Sequence, residues 1–215
     1  MPCRRPRGNW VAEVTALIDY GAGNLRSVAN ALRAAGGEGV VITADPDVVR
    51  GADRIVLPGV GAFRACIGAL RGVPGLVEAM TERVQVGGVP FLGICVGMQL
   101  LATRGIEFGV TAGLDWIGGE VRPIVASDPA IKVPHMGWND VVPRVDGLIA
   151  PGEAYFLHSY HFVPDHADHV AASSDHGGAL VAAVARDTVL GVQFHPEKSQ
   201  AYGLSLLARF LAWKP

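Results

Sequence analysis

The sequence predicts a single α/β domain spanning 14–215, built on a central, mostly parallel sheet that is flanked by helices and carries an antiparallel extension. Two observations predict this class. In the first half, short β-branched and apolar runs alternate with helical patterns, the rhythm of βαβ units whose parallel strands are covered on both faces. In the second half, strand-like runs follow one another with few helices between them, as antiparallel neighbours do.

The elements follow in order. Residues 1–13 contain Arg4, Arg5 and Arg7 with no apolar stretch behind them, so they read as a flexible N-terminal extension rather than a secretory signal. Apolar or periodic segments then run over Val14–Ile18, Leu25–Ala35, Val40–Thr43, Arg54–Leu57, Leu76–Val86 and Val89–Ile94. Strand candidates continue over Leu114–Val125, Val141–Val142, Tyr155–His158, Val170–Ser173, Leu180–Val184 and Val189–Phe194. Ser199 is placed to cap a last helix whose Leu204, Leu207, Phe210 and Leu211 share one face. In open α/β sheets, sites form beyond the carboxyl ends of the strands. The loops after Ile18, Leu57 and Ile94 are therefore expected on one edge, and they hold the unusual residues.

Composition narrows the functional class. A chain of 215 residues with 50% hydrophobic content can bury one sizeable core, and its net charge of −2 supplies no basic field for nucleic acid or an anionic membrane. No window reaches the roughly 18 apolar residues of a membrane-spanning helix. Cys3, Cys66 and Cys95 are odd in number and widely spaced, which argues against a disulfide framework and for a reducing cytoplasm.

The strongest local signal is Val89-Pro90-Phe91-Leu92-Gly93-Ile94-Cys95-Val96-Gly97-Met98-Gln99. It reads as an apolar strand, a Gly-x-Cys-x-Gly turn and the start of a helix, the form of a nucleophile elbow. Flanking glycines leave room for a sharp turn. A thiol at a helix N-terminus meets unpaired amides and a dipole that favour the thiolate, and the Val96 N–H is the natural donor to an oxyanion. By itself Cys95 also fits a small core residue between two turns.

Partners for the cysteine stand near the carboxyl end, in Gly191-Val192-Gln193-Phe194-His195-Pro196-Glu197-Lys198-Ser199. Residues two apart in an extended segment face the same side, so Glu197 can fix the tautomer of His195 while the other ring nitrogen faces Cys95. Without the elbow, the same segment reads as a strand-end histidine followed by a first-turn acid. The other histidines, including His166 and His169 at helical spacing, follow no metal-ligand pattern and read as loop or core residues. Neither metal nor cofactor is expected.

With Gly-x-Cys-x-Gly-x-Gln and His-Pro-Glu in this order, the chain resembles the class I, or triad, glutamine amidotransferases. Asp19-Tyr20-Gly21-Ala22-Gly23-Asn24-Leu25, Pro58-Gly59-Val60-Gly61-Ala62-Phe63, Pro134-His135-Met136-Gly137-Trp138-Asn139 and His195-Pro196-Glu197-Lys198-Ser199 look, in particular, like the glutaminase subunits of imidazole glycerol phosphate synthases, which serve histidine biosynthesis. The resemblance runs from about Val14 to the end. It implies the amidotransferase fold, glutamine hydrolysis by Cys95, His195 and Glu197, and a second oxyanion donor at the Val60 N–H between Gly59 and Gly61, where glycines make a peptide flip sterically cheap. It further implies glutamine recognition by Gln99, Glu107 and the backbone at Ser159 and Tyr160, with Glu107 facing the substrate ammonium. The implied partner is a separate β/α-barrel cyclase, met by Asn24, Trp138, Tyr155 and Lys198 and forming a heterodimer that receives the ammonia. Each of those four has a plainer reading, as cap, core aromatic or solvated charge. Arg64, Ala65 and Ile67 depart from the expected pattern, in a way expected to touch helix packing and leave the chemistry alone.

Three rival functions remain. Another glutaminase of the same class would share the triad, and only the surrounding signatures speak against it. A dinucleotide loop at Gly21-Ala22-Gly23 fails at its third glycine, where Arg26 stands. A triad peptidase or esterase would show ester hydrolysis by Cys95 without glutaminase activity.

Overall fold

The computed structural model describes residues 13–215 apart from 126, 129 and 145; the expected N-terminal extension, save Glu13, lies outside the described residues. The first half alternates as expected: β1 (Val14–Ile18), α1 (Leu25–Ala34), β2 (Gly39–Thr43), α2 (Pro46–Arg50), β3 (Arg54–Gly59), α3 (Phe63–Arg71), α4 (Leu76–Thr81) and β4 (Phe91–Cys95). β3 and β4 are buried along their whole length, the pattern of parallel strands covered on both faces. Local chemistry sets the helix starts. Asn24 accepts from the Ser27 amide at 3.4 Å before α1, and Asp45 accepts from the Asp47 amide at 2.9 Å with Pro46 in the first turn of α2. The structure adds α2 and α3 to the expected helices, and the Leu76–Val86 segment is α-helical only to Thr81, ending in a π-helical turn over Glu82–Val86.

After the four-residue helix α5 (Val96–Gln99) come β5 (Arg104–Gly105), β6 (Thr111–Ala112), β7 (Gly119–Pro123), β8 (His135–Pro143), β9 (Gly152–His158), β10 (Tyr160–Pro164), β11 (Val170–Asp175), β12 (Ala179–Arg186), β13 (Val189–Val192) and α6 (Gln200–Ala212). The large sheet has the order β2-β1-β3-β4-β13-β12-β11-β8-β9. Its first five strands are parallel, and from β12 onward each neighbour is antiparallel. The expected antiparallel extension is therefore present, but it does not take in every later strand. β10, β7, β5 and β6 form a second, four-stranded sheet. The chain changes sheets at Ser159, between the last residue of β9 and the first of β10, and β10 completes its hydrogen bonding on β7. The strand expected only at Val141–Val142 begins at His135.

α6 packs back on the sheet side as expected, but its buried stripe is Gly203, Leu206, Leu207 and Phe210, with Leu204 exposed. The stripe is shifted because the helix begins against the Pro196 carbonyl, which a Cβ at position 203 would strike. Ser199 sits at the N-cap position without capping; its hydroxyl is used elsewhere.

Candidate active site

Three adjacent parallel strands bring distant parts of the chain to one line. The register pairs Gly59 of β3 with Cys95 of β4, and Val192 of β13 with Ile94 of β4. Cys95 thus stands between Gly59 and the residues just beyond β13, with His195 following. Cys95 is the turn itself, at φ 54° and ψ −113°, a conformation that costs a non-glycine residue on the order of 1–3 kcal/mol and is held by its surroundings. Those surroundings admit only glycine nearby: a Cβ on Gly97 would strike the Leu57 carbonyl, and one on Gly93 would lie 2.7 Å from the Gly97 oxygen. The helix that follows is a single turn, so the amides of that turn, rather than a long helix dipole, are what the sulfur meets.

His195 is buried, and its Nδ1–H donates to Glu197 Oε1 at 2.8 Å, leaving Nε2 as the nitrogen on the Cys95 side. Burial opposes a charged ring, but the Cys95 sulfur and the Glu197 carboxylate outweigh it and hold His195 up at about 9. A backbone clamp fixes the turn. The His195 amide donates to the Tyr155 carbonyl at 2.9 Å, the Tyr155 amide donates to Ser199 Oγ at 2.9 Å, and that hydroxyl donates to the His195 carbonyl at 2.7 Å.

A cavity of about 340 Å³ opens over Cys95, Val96 and His195. It is lined as well by Val60, Gly61, Gln99, Glu107, Ser159, Tyr160 and Lys198, so the structure gathers nearly all the residues expected to act on or bind a substrate. Gly59 lies beneath its floor, where a Cβ would come within 2.7 Å of the Gly97 amide nitrogen. Tyr20 donates to the Pro58 carbonyl at 2.7 Å, and the Cys66 thiol, pushed up by burial and so kept protonated, donates to the Val60 carbonyl at 3.3 Å. Two buried side chains therefore grip the carbonyls on either side of Gly59. Glu107 Oε2 accepts from the Phe63 amide at 2.7 Å at the start of α3. Arg64 is no mere packing residue: it donates to the Phe108 carbonyl at 3.2 Å and to Thr111 Oγ1 at 3.1 Å, tying α3 to the loop that carries Glu107.

Sequence reasoning passed over Gln193, which is fully buried. Its amide donates to Cys95 Sγ at 3.7 Å, and its oxygen accepts from Gln99 Nε2 at 3.0 Å. It is unremarked because it sits in an otherwise apolar run. Pro134, Leu157 and His158 also line the cavity, and only their place at the ends of β8 and β9 would have pointed to them.

The four residues expected to meet a partner divide. Asn24 caps α1. Trp138 is 47% exposed and meets Tyr155 edge to face at 6.2 Å, while Lys198 Nζ lies 5.8 Å over the Tyr155 ring. These three are therefore a surface cluster and no part of the core.

Comparison with known proteins identifies the family of the chain. The family profile described as "Glutamine amidotransferase class-I" matches residues 16–212. Among curated relatives, the chain is 58% identical to "Imidazole glycerol phosphate synthase subunit HisH" of Zymomonas mobilis, covering 96% of this chain and 99% of that one. It is 53% identical to the protein of the same name from Caulobacter vibrioides, over 94% of this chain and all of the relative. Among solved structures, a "Crystal structure of glutamine amidotransferase" superposes with a TM-score of 0.73 at 19% identity, over 93% and 97% of the two chains. At that identity the likeness is one of fold.

Proposed function

The chain belongs to the class-I glutamine amidotransferases, and from that premise we propose that it is the glutaminase subunit of an imidazole glycerol phosphate synthase in histidine biosynthesis. It hydrolyses glutamine to glutamate and ammonia. The observation that carries the mechanism is the alignment of β3, β4 and β13, which brings Cys95, its flanking amides and His195 to one cavity, with Glu197 behind the His195 ring.

The Cys95 sulfur adds to the side-chain amide carbon of glutamine, and charge collects on the amide oxygen, where the Val96 N–H and, after a turn of the Gly59–Gly61 segment, the Val60 N–H receive it. His195, favoured in its charged form, gives its proton to the departing nitrogen as the C–N bond breaks. Ammonia leaves and a thioester remains. Neutral His195 then takes a proton from water, the hydroxide adds to the thioester, and C–S cleavage releases glutamate and expels the sulfur as a thiolate beside the recharged His195, which is the starting pair. Glu197 holds the imidazole in the tautomer this sequence needs. Gln99, Glu107 and the Ser159–Tyr160 backbone hold the substrate.

The ammonia passes to a β/α-barrel cyclase subunit, which uses it to form imidazole glycerol phosphate and an aminoimidazole carboxamide ribotide; bulk water would protonate and dilute it. The exposed cluster of Trp138, Tyr155 and Lys198 supports placing that partner beside the triad turn. Among the described residues no helix is long and apolar enough to cross a membrane, and we place the heterodimer in the cytoplasm. The test is ammonia release from glutamine by this chain alone, with the cyclase, and with the cyclase and its ligand. Slow release alone and strong release in the liganded complex are expected. No release under any condition would refute the assignment, and full activity of the isolated chain would refute the coupling.

A further inference from the structure

A second polar system runs from the wall of the cavity, at His158, and its side chains take no part in the mechanism above. His158 Nδ1 is 2.8 Å from the Tyr160 carbonyl, His135 Nδ1 is 3.0 Å from His158 Nε2, and Asn139 Nδ2 is 3.0 Å from His135 Nε2. The proton positions follow one from another. A carbonyl only accepts, so His158 carries its proton on Nδ1 and presents a lone pair at Nε2. His135 must then donate from Nδ1 and accept at Nε2, and the Asn139 amide is turned to supply that donor because its Oδ1 accepts from the Asp140 amide at 2.8 Å. Both rings are neutral, since burial pushes His135 down to about 4 and His158 to about 3. His135 is held between Phe156, stacked at 4.5 Å, and His176, stacked at 4.2 Å.

The chain of bonds ends where the polypeptide changes sheets. His158 closes β9 in the large sheet, Tyr160 opens β10 in the small one, and Ser159 between them faces the cavity. The Tyr160 carbonyl accepts a second bond, from Gln99 Nε2 at 3.0 Å, and so links this system to Gln193 and the Cys95 sulfur. We infer that Asn139, His135 and His158 are positioning residues that fix the Ser159–Tyr160 backbone at the junction of the two sheets, and thereby set the affinity for glutamine rather than the rate of chemistry at Cys95. This rests on the glutaminase reading.

The experiment uses the complex with the cyclase and its ligand. His158→Phe removes the donor to the Tyr160 carbonyl, and the KM for glutamine should rise about tenfold with kcat within about twofold. His158→Asn keeps an amide N–H near the place of Nδ1, and it should bring KM back to within about threefold of the parent. A fall in kcat at unchanged KM, or an Asn variant as poor as the Phe variant, would overturn the inference. Nitrogen-15 histidine spectra of the unsubstituted complex at neutral pH give a second test that does not depend on variants folding. Both His135 and His158 should be Nδ1–H tautomers, and an Nε2–H tautomer at either would break the chain of bonds. A parent complex that releases no ammonia would sink the glutaminase reading, whereas an active parent whose variants leave KM unmoved would sink this inference alone.

Discussion

His195 is 3% exposed, His135 3% and His158 7%, yet burial leaves the first favouring its charge and the other two neutral. Desolvation pushes all three the same way. What differs is the company: His195 faces a carboxylate and a sulfur, both able to carry negative charge, whereas His158 faces a carbonyl and another imidazole. A buried histidine in this fold is thus an acid or a spacer according to two atoms around it. The strands behind each centre differ in the same sense. β4 and β13 are parallel and end together beneath a reacting atom, while β8 and β9 form an antiparallel ribbon whose inward residues hold backbone in place.

Removing the sulfur breaks the comparison most completely. Cys95→Ala should lower glutamine hydrolysis by on the order of a thousandfold or more, and should also bring His195 down from about 9, since burial is then opposed by Glu197 alone. Binding of the cyclase should persist; loss of both activities would make Cys95 a structural thiol. Glu197→Gln comes next. An amide can still accept from Nδ1–H but brings no charge, so kcat should fall on the order of a hundredfold to ten-thousandfold with little change in KM, and a histidine titration should show His195 below about 9. An unchanged titration would mean that the sulfur alone holds the charge.

The smallest effect concerns the neutral pair and is read in stability. His135 and His158 sit at about 4 and about 3 when folded, against an ordinary value of 6.5, so the folded state binds fewer protons than the unfolded chain on the acid side. Their contribution is fully present above 6.5 and is lost as pH falls from 6.5 through about 4 for His135 and about 3 for His158. Thermal unfolding followed between pH 7 and 4.5 should show Tm dropping progressively, and a flat profile over that range would contradict neutral buried rings.

Much of the charged centre was legible in the sequence. Gly93, Cys95 and Gly97 announce a turn that only certain residues can make, and His195 with Glu197 gives that turn its chemistry. The parallel strands were readable because burial on both faces demands unbroken apolar runs. The second sheet was not, since β5 and β6 are two residues each and owe their existence to pairing with β7 and each other rather than to any local preference. Neither was the histidine chain. His135 and Asn139 share one face of β8, but His158 joins them only because β8 and β9 pair His135 with His158. Ser199 misled in a different way: it stands where a cap belongs, but its hydroxyl closes the clamp on His195 instead.

The place of β13 carries a consequence for how the molecule comes into being. It hydrogen-bonds to β4 on one side and to β12 on the other, so it joins the two halves of the large sheet, and it also leads into His195. A chain leaving the ribosome exposes Cys95 long before that strand exists. Pairings between segments so far apart in sequence are slow to form, so the seam should be among the last parts to close. Until it does, the nascent polypeptide holds a thiol without its base, and glutamine in the cell meets nothing able to cleave it.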